Sequence, residues 1–162
     1  TAADPPVRPE PNICLTGFPE YRAMRQLLYA SNTSRDVSQD VLDDILAASR
    51  RNNPRDGITG MLLYVEGGFM QVLEGGRETV NRLYARIAND PRHQDVTLLS
   101  YQEIDERRFA SWTMGHVNIS RLNPSILLKY SERPVLDPYA LPGHVSMALL
   151  EELIATASIA GR

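Results

Sequence analysis

Apolar and polar residues alternate with a changing period along the chain, and the changes mark its elements. Gln26-Leu27-Leu28-Tyr29-Ala30-Ser31 is a short apolar run closed by Asn32-Thr33-Ser34, which predicts a strand followed by a turn. Ser38 is a good helix N-cap, with Asp40, Asp43 and Asp44 in the first two turns. Val41, Leu42, Ile45, Leu46 and Ala48 then recur at helical spacing, and Ser49 marks the edge of that face. Arg50 and Arg51 suit a helix C-terminus, and Pro54 is expected to prevent continuation. Ile58 to Val65 predicts a second strand, Glu66-Gly67-Gly68 a hairpin turn, and Phe69 to Glu74 the returning strand. On that strand Phe69, Gln71 and Leu73 share one face by the two-residue period. Gly75-Gly76 ends it. Val80, Leu83, Tyr84 and Ile87 form the apolar stripe of a second helix, which Asp90-Pro91 stops. Val96 to Ile104 and Thr113 to Ile119 predict two further strands.

The resulting order, β-α-β-β-α-β plus one extra strand, is an α+β arrangement of the ferredoxin-like kind. Strands one and three are expected side by side and parallel in the middle of the sheet, with both helices on one face. The other face would stay apolar and open, which costs stability unless something covers it. The tail offers a cover. Asn123-Pro124-Ser125 can start a short helix through Lys129. A proline-rich link (Pro134, Pro138, Pro142) then leads to a helix from about His144 to Ile159, carrying Val145, Leu149, Leu150, Leu153 and Ile154. At the other end, residues 1–25 hold Pro5, Pro6, Pro9, Pro11 and Pro19 and show no period, so an extended arm is expected there. Three parts follow: an arm over 1–25, a folded domain over 26–119, and a C-terminal helical cap over 120–162. The pattern leaves the place of the extra strand in the sheet open.

Composition narrows the function. The chain is 43% hydrophobic and 23% charged, with a net charge of −3 and no long run among its seventeen cations. The footprint of a nucleic-acid binder is missing. No apolar run is long enough to span a bilayer, and no signal segment follows Thr1. One cysteine, Cys14, cannot form an internal disulfide, so a reducing, cytoplasmic setting is expected. There is no Gly-rich phosphate loop and no GxSxG elbow. His93, His116 and His144 show no metal-ligand spacing, and no metal is expected.

What remains is a set of neutral polar groups at the edges of apolar elements: Tyr29 on strand one, Asn52 and Asn53 at the end of helix one, Gln71 on strand three. On the sheet pattern above, Tyr29 and Gln71 can face each other beneath the two helices. A buried glutamine must satisfy two donors and two acceptor lone pairs, and leaving them unpaired costs about 1–3 kcal/mol. Either the protein or a ligand must supply the partners. Singly, each residue has a plain structural explanation: a core tyrosine, a helix stop, a core amide.

Taken together, six stretches resemble the successive signature blocks of the BLUF domains, sensors of blue light using flavin. They are Leu28-Tyr29-Ala30-Ser31, Ser49-Arg50-Arg51-Asn52-Asn53, Gly57 to Tyr64, Phe69 to Gly75, Asp90-Pro91-Arg92-His93, and Phe109 to Gly115. The resemblance covers about residues 26–119 and implies FAD bound non-covalently between the two helices, its ring edge toward the sheet. It implies Tyr29 as electron and proton donor to the excited flavin and Gln71 as the bridge between them. Asn53, Asn52 and Arg92, with Asp90 beside it, would hold the polar edge. Ile45 and Ile87 would sandwich the ring, and Phe69 would line the pocket. Ser31 and His93, from the matching blocks, would join the cofactor contacts, as would Arg86 at the phosphates. Trp112 and Met114, on the last strand, would carry the signal outward. No substrate would be consumed.

An amide suits such a relay because it offers a donor at one end and an acceptor at the other, and rotating or tautomerising it swaps the ends. Output would pass to an unidentified effector protein, with the helical tail a candidate surface for a homo-oligomer. FMN in place of FAD stays open. The competing expectations are a ferredoxin-like enzyme, hydrolytic or flavin-dependent, and a ligand-binding regulatory module with no response to light. A light sensor of the cysteinyl-flavin type is disfavoured, because Cys14 lies in the arm.

Overall fold

The computed structural model describes residues 23–33, 38–65, 67–119, 122–156 and 158–160. Most of the expected arm, including Cys14, lies outside the described residues, as do Ser34 and Glu66 of the two expected turns. In chain order the elements are β1 (Met24–Thr33), α1 (Gln39–Asp56), β2 (Thr59–Val65), β3 (Gly68–Gly76) and α2 (Arg77–Ala88). There follow β4 (His93–Ile104), β5 (Gly115–Asn118), α3 (Pro124–Leu128), α4 (Gly143–Thr156) and β6 (Ser158–Ala160).

One sheet carries the strands in the order β4-β1-β3-β2-β5-β6. β1 and β3 are central neighbours as expected, but they run antiparallel, with Tyr29 opposite Gln71. The expectation of a parallel pair is corrected by the connections. Each βαβ crossover keeps its own two strands parallel while stepping over a place in the sheet, and the tight β2–β3 hairpin reverses direction between them. The extra strand β5 pairs parallel to β2, with Leu62 opposite His116. β6, not anticipated from the sequence, pairs antiparallel to β5.

Alternation along the strands divides the core into two layers. Leu27, Tyr29, Leu62, Phe69 and Leu73 pack with Leu42, Leu46 and Val80 of α1 and α2. Leu28, Met61, Leu63, Met70 and Val72 point the other way and pack with Leu127 of α3 and Met147, Leu149, Leu150 and Leu153 of α4. The C-terminal helices therefore cover the second face, as the tail pattern implied.

Local chemistry explains the element ends. Ser38 caps α1, its hydroxyl accepting from the Val41 N–H at 3.4 Å. The helix does not stop at Pro54. It runs to Asp56 and ends on Gly57 at φ +68°. Proline in the last turn forfeits only one backbone bond, and the Asn53 carbonyl accepts from the N–H groups of both Gly57 and Ile58. α3 is capped by Asn123, whose Oδ1 accepts from the Ser125 N–H at 3.0 Å. α4 ends at Thr156, short of Ile159, where the chain turns to pairing with β5. β5 is also shorter than expected, so Trp112 and Met114 precede the strand and do not lie on it. Their segment is held differently. The carbonyls of Trp112, Thr113 and Met114 accept in turn from Gly60 N (2.9 Å), Asn53 Nδ2 (2.6 Å) and Arg50 Nε (3.2 Å). Gly60 is required there, since a Cβ would sit 2.0 Å from the Val72 carbonyl oxygen.

Leu150 of α4 is fully buried against the sheet. Leu150→Ala is expected to lower the free energy of unfolding by about 2–5 kcal/mol in urea titration. Removing residues 120–162 uncovers the second apolar face, and the shortened protein is expected to self-associate by size-exclusion chromatography.

Candidate functional site

Between α1, α2 and the centre of the sheet lies a slot of about 190 Å³. Its floor is Tyr29 of β1, Leu62 of β2, and Phe69 and Gln71 of β3. α1 contributes Ile45, Ala48, Ser49, Asn52, Asn53 and Asp56. α2 contributes Leu83, Arg86 and Ile87, and Asp90, Arg92 and His93 close the far end. The walls are aliphatic and the rim is polar.

The floor carries a chain of contacts. Tyr29, 1% exposed, donates its hydroxyl to Gln71 Oε1 at 2.5 Å. Gln71, 5% exposed, donates from Nε2 to Met114 Sδ at 3.2 Å. A thioether is a weak acceptor, so the amide nitrogen is left with no strong partner among the described residues. Burial pushes the Tyr29 phenol far above its ordinary pKa, and nearby Tyr84 and Asp90 push the same way. The phenol therefore keeps its proton at any ordinary pH. Tyr84 of α2 lies with its ring centroid 5.7 Å from that of Tyr29.

At the far end Ser31 Oγ and His93 Nδ1 are hydrogen-bonded at 2.7 Å. The His93 ring stands 5.2 Å from Phe69 and 6.3 Å from Tyr29. Burial lowers the His93 pKa, Arg92 adding to that effect and Asp90 opposing it. Asp90 grips Arg92 through Nε and Nη2, at 3.0 and 2.7 Å to its two oxygens. That bond holds the Asp90 carboxyl below its usual range.

Eleven of the twelve expected cofactor contacts line the slot: Tyr29, Ile45, Asn52, Asn53, Phe69, Gln71, Arg86, Ile87, Asp90, Arg92 and His93. Ser31 stands behind His93. Met114 is fully buried against Gln71. Trp112 stays away from the slot and packs into the α3/α4 layer. Ala48, Ser49, Asp56, Leu62 and Leu83 also line the slot, and Tyr84 flanks Tyr29. Leu83 and Tyr84 were visible in the sequence as part of the α2 stripe, but nothing in the spacing separated a slot wall from ordinary core.

The slot suits the flat, apolar-faced and polar-edged ring of a flavin. Ile45 and Ile87 offer aliphatic contact from opposite helices, the rim offers amides and a guanidinium, and the Gln71 amide faces inward incompletely satisfied. The family model described as "Sensors of blue-light using FAD" matches residues 24–115. The chain belongs to the BLUF family. FAD is the cofactor that this family uses. The BLUF chain is 39% identical over 105 residues to photoactivated adenylate cyclase subunit beta of Euglena gracilis, covering 64% of this chain and 12% of that protein. It is 32% identical over 83 residues to the blue light- and temperature-regulated antirepressor BluF of Escherichia coli (strain K12), covering 51% of this chain and 21% of that one. The chain thus spans only a small part of these curated relatives. Among solved structures it is similar to the photo-activated state of BlsA, with a TM-score of 0.74, 34% identity, and 83% and 98% of the two chains covered. It is also similar to the dark state of the BLUF protein BlrB, with a TM-score of 0.65, 33% identity, and 83% and 96% covered. Among the described residues no helix is long and apolar enough to cross a membrane, and no group of His, Cys, Asp and Glu could hold a metal ion.

His93 and His116 both have pKa values lowered chiefly by burial. The unfolded chain takes up protons on them at about pH 6.5, where the folded chain does not. Stability is therefore expected to fall as pH drops through and below that value. His93→Gln removes one of the two contributions, so its melting temperature is expected to change less between pH 7.5 and 5.5 than that of the unsubstituted protein.

Proposed function

We propose that this BLUF chain is a blue-light photoreceptor in which Tyr29 and Gln71 form the switch and the Trp112–Met114 segment the output. The observation that carries this is the hydrogen-bonded series Tyr29 Oη, Gln71 amide, Met114 Sδ on the floor of the slot. Bound FAD supplies light absorption and, when excited, a strong oxidant. Ile45 and Ile87, which line the slot, would hold its ring from either side. Asn52, Asn53 and Arg92, the last steadied by Asp90, would hold its polar edge, and Arg86 would reach its phosphates.

With FAD bound, Tyr29 would be the electron donor to the excited ring, and a phenol that loses an electron releases its proton readily. Gln71 Oε1, 2.5 Å away, is placed to receive that proton. An amide that gained this proton on oxygen would release one from nitrogen to the ring, and with an electron and a proton returned to Tyr29 the amide would be left tautomerised or turned end for end, its donor and acceptor exchanged. The exchanged arrangement is itself a local minimum, so it outlives the return of the electron. Met114, in contact with the amide nitrogen, registers the exchange first. Trp112, two residues earlier and packed in the opposite layer, carries it toward α3 and α4.

In this reading the chain consumes no substrate and acts on an effector protein. The similarity to a cyclase subunit and to an antirepressor supports a sensory module that serves different outputs. A homo-oligomer through the C-terminal helices, a cytoplasmic setting, and no direct contact with nucleic acid or membrane belong to the same proposal.

The flavin absorption of the purified protein is expected to shift to the red under blue light and to relax in the dark. Tyr29→Phe is expected to stay yellow and lose that shift, since the phenolic proton is gone while the ring remains. Gln71→Leu is expected to lose it too, with no amide to exchange. A normal photocycle in either variant removes that residue from its role.

A further inference from the structure

We propose that Glu74 is a positioning residue that clamps the loop between β4 and β5, so that a change at Gln71 is transmitted to α4 and the lit state is held. The proposal rests on the photoreceptor reading. Glu74 lies three residues after Gln71 on β3 and is 0% exposed. A carboxylate so deep in a small domain is costly unless it is fully bonded. Oε1 accepts from Gln26 Nε2 at 2.9 Å and from the Arg108 N–H at 3.0 Å. Oε2 accepts from the Phe109 N–H at 2.9 Å and from the Thr59 hydroxyl at 3.4 Å. Gln26 is held in turn by Gln102 Nε2 at 2.6 Å, so the series crosses β4, β1 and β3. All four groups around the carboxylate are donors. An amide could accept at only one of its two ends, so glutamine cannot replace this carboxylate there.

Two of the four donors are consecutive backbone N–H groups of the loop that leads to Trp112 and Met114. Arg107, just before them, grips the same place from outside. Its guanidinium donates to the Gly57 carbonyl (2.7 Å), the Thr59 hydroxyl (2.9 Å) and the Glu74 carbonyl (3.1 Å). Arg108 pairs with Glu151 of α4, and Phe109 is buried in the α3/α4 layer. The loop is thus fixed at residues 107–109 to the strand that carries Gln71, while its far end touches the Gln71 amide through Met114. With one end anchored, a displacement at Met114 cannot be absorbed by sliding of the loop. It must load the contacts that Arg108, Phe109 and Trp112 make with the C-terminal helices.

The test uses the full chain with FAD bound, comparing the unsubstituted protein with Glu74→Gln and Arg107→Ala. Neither residue lines the slot, so both variants are expected to stay yellow and to keep the red shift. Glu74→Gln is expected to relax in the dark roughly tenfold faster, the change that follows from losing one hydrogen bond to a buried charge. The light-induced change in amide hydrogen exchange over Gly143–Thr156, expected in the unsubstituted protein, is expected to vanish in Glu74→Gln and to shrink in Arg107→Ala. If Glu74→Gln fails to fold, Arg107→Ala, altered only at the outer face of the clamp, decides alone. A red shift retained together with dark recovery within about twofold and an unaltered α4 response overturns the clamp and leaves the photoreceptor standing. Absence of any red shift in the unsubstituted protein overturns the photoreceptor reading itself.

Discussion

A sheet that buries both faces leaves its central strands no water to bond with, and every polar group placed there must find its partner inside the protein or in a ligand. Tyr29 and Gln71 are such groups, directly opposite each other on two neighbouring interior strands. The antiparallel register brings phenol and amide together, and the 2.5 Å bond between them uses the amide oxygen. Among the described residues the nitrogen end then meets a sulfur. The chemistry of the slot follows from that incomplete satisfaction, because an amide with one strong and one weak partner is poised to accept a better arrangement.

Charge is kept away from this centre. The floor and walls are neutral, while Asp56, Arg86, Asp90 and Arg92 stand around the rim. The Asp90–Arg92 pair is partly exposed, with side-chain exposures of 23% and 49%, so it adds little to stability and mainly orients the guanidinium. Burial, with Tyr84 and Asp90 adding to it, also leaves the Tyr29 phenol protonated, which any transfer of its proton requires.

The segment before β5 joins the two halves of the molecule. Its successive carbonyls are bound by β2 and by two side chains of α1. Met114 belongs to the layer beneath α1 and α2, and Trp112 to the layer beneath α3 and α4. Two residues therefore span the sheet at its end, between the face that holds the slot and the face covered by the C-terminal helices. Asn53 serves both sides, lining the slot while its amide nitrogen binds the Thr113 carbonyl.

The order of strands and helices apart from β6, the two apolar faces, the covering role of the tail and most of the residues around the slot were legible along the chain. Period-two and period-3.6 patterns record which face each residue must bury, and the signature blocks record which polar residues recur together. The sheet order beyond the central pair was not legible, because any apolar edge could have received β5, and β6 is too short to carry a pattern. The direction of β1 against β3 came from the path of the crossovers, a property of the whole sheet. α1 passed Pro54 because Asn53 and Gly57 close its last turn together, a cooperation that residue-by-residue preference does not register. Nothing in the strand pattern sets Glu74 apart from a surface carboxylate. Only tertiary structure surrounds it with donors from β1, β2 and a distant loop, because a carboxylate's cost or benefit depends on what the fold brings to it.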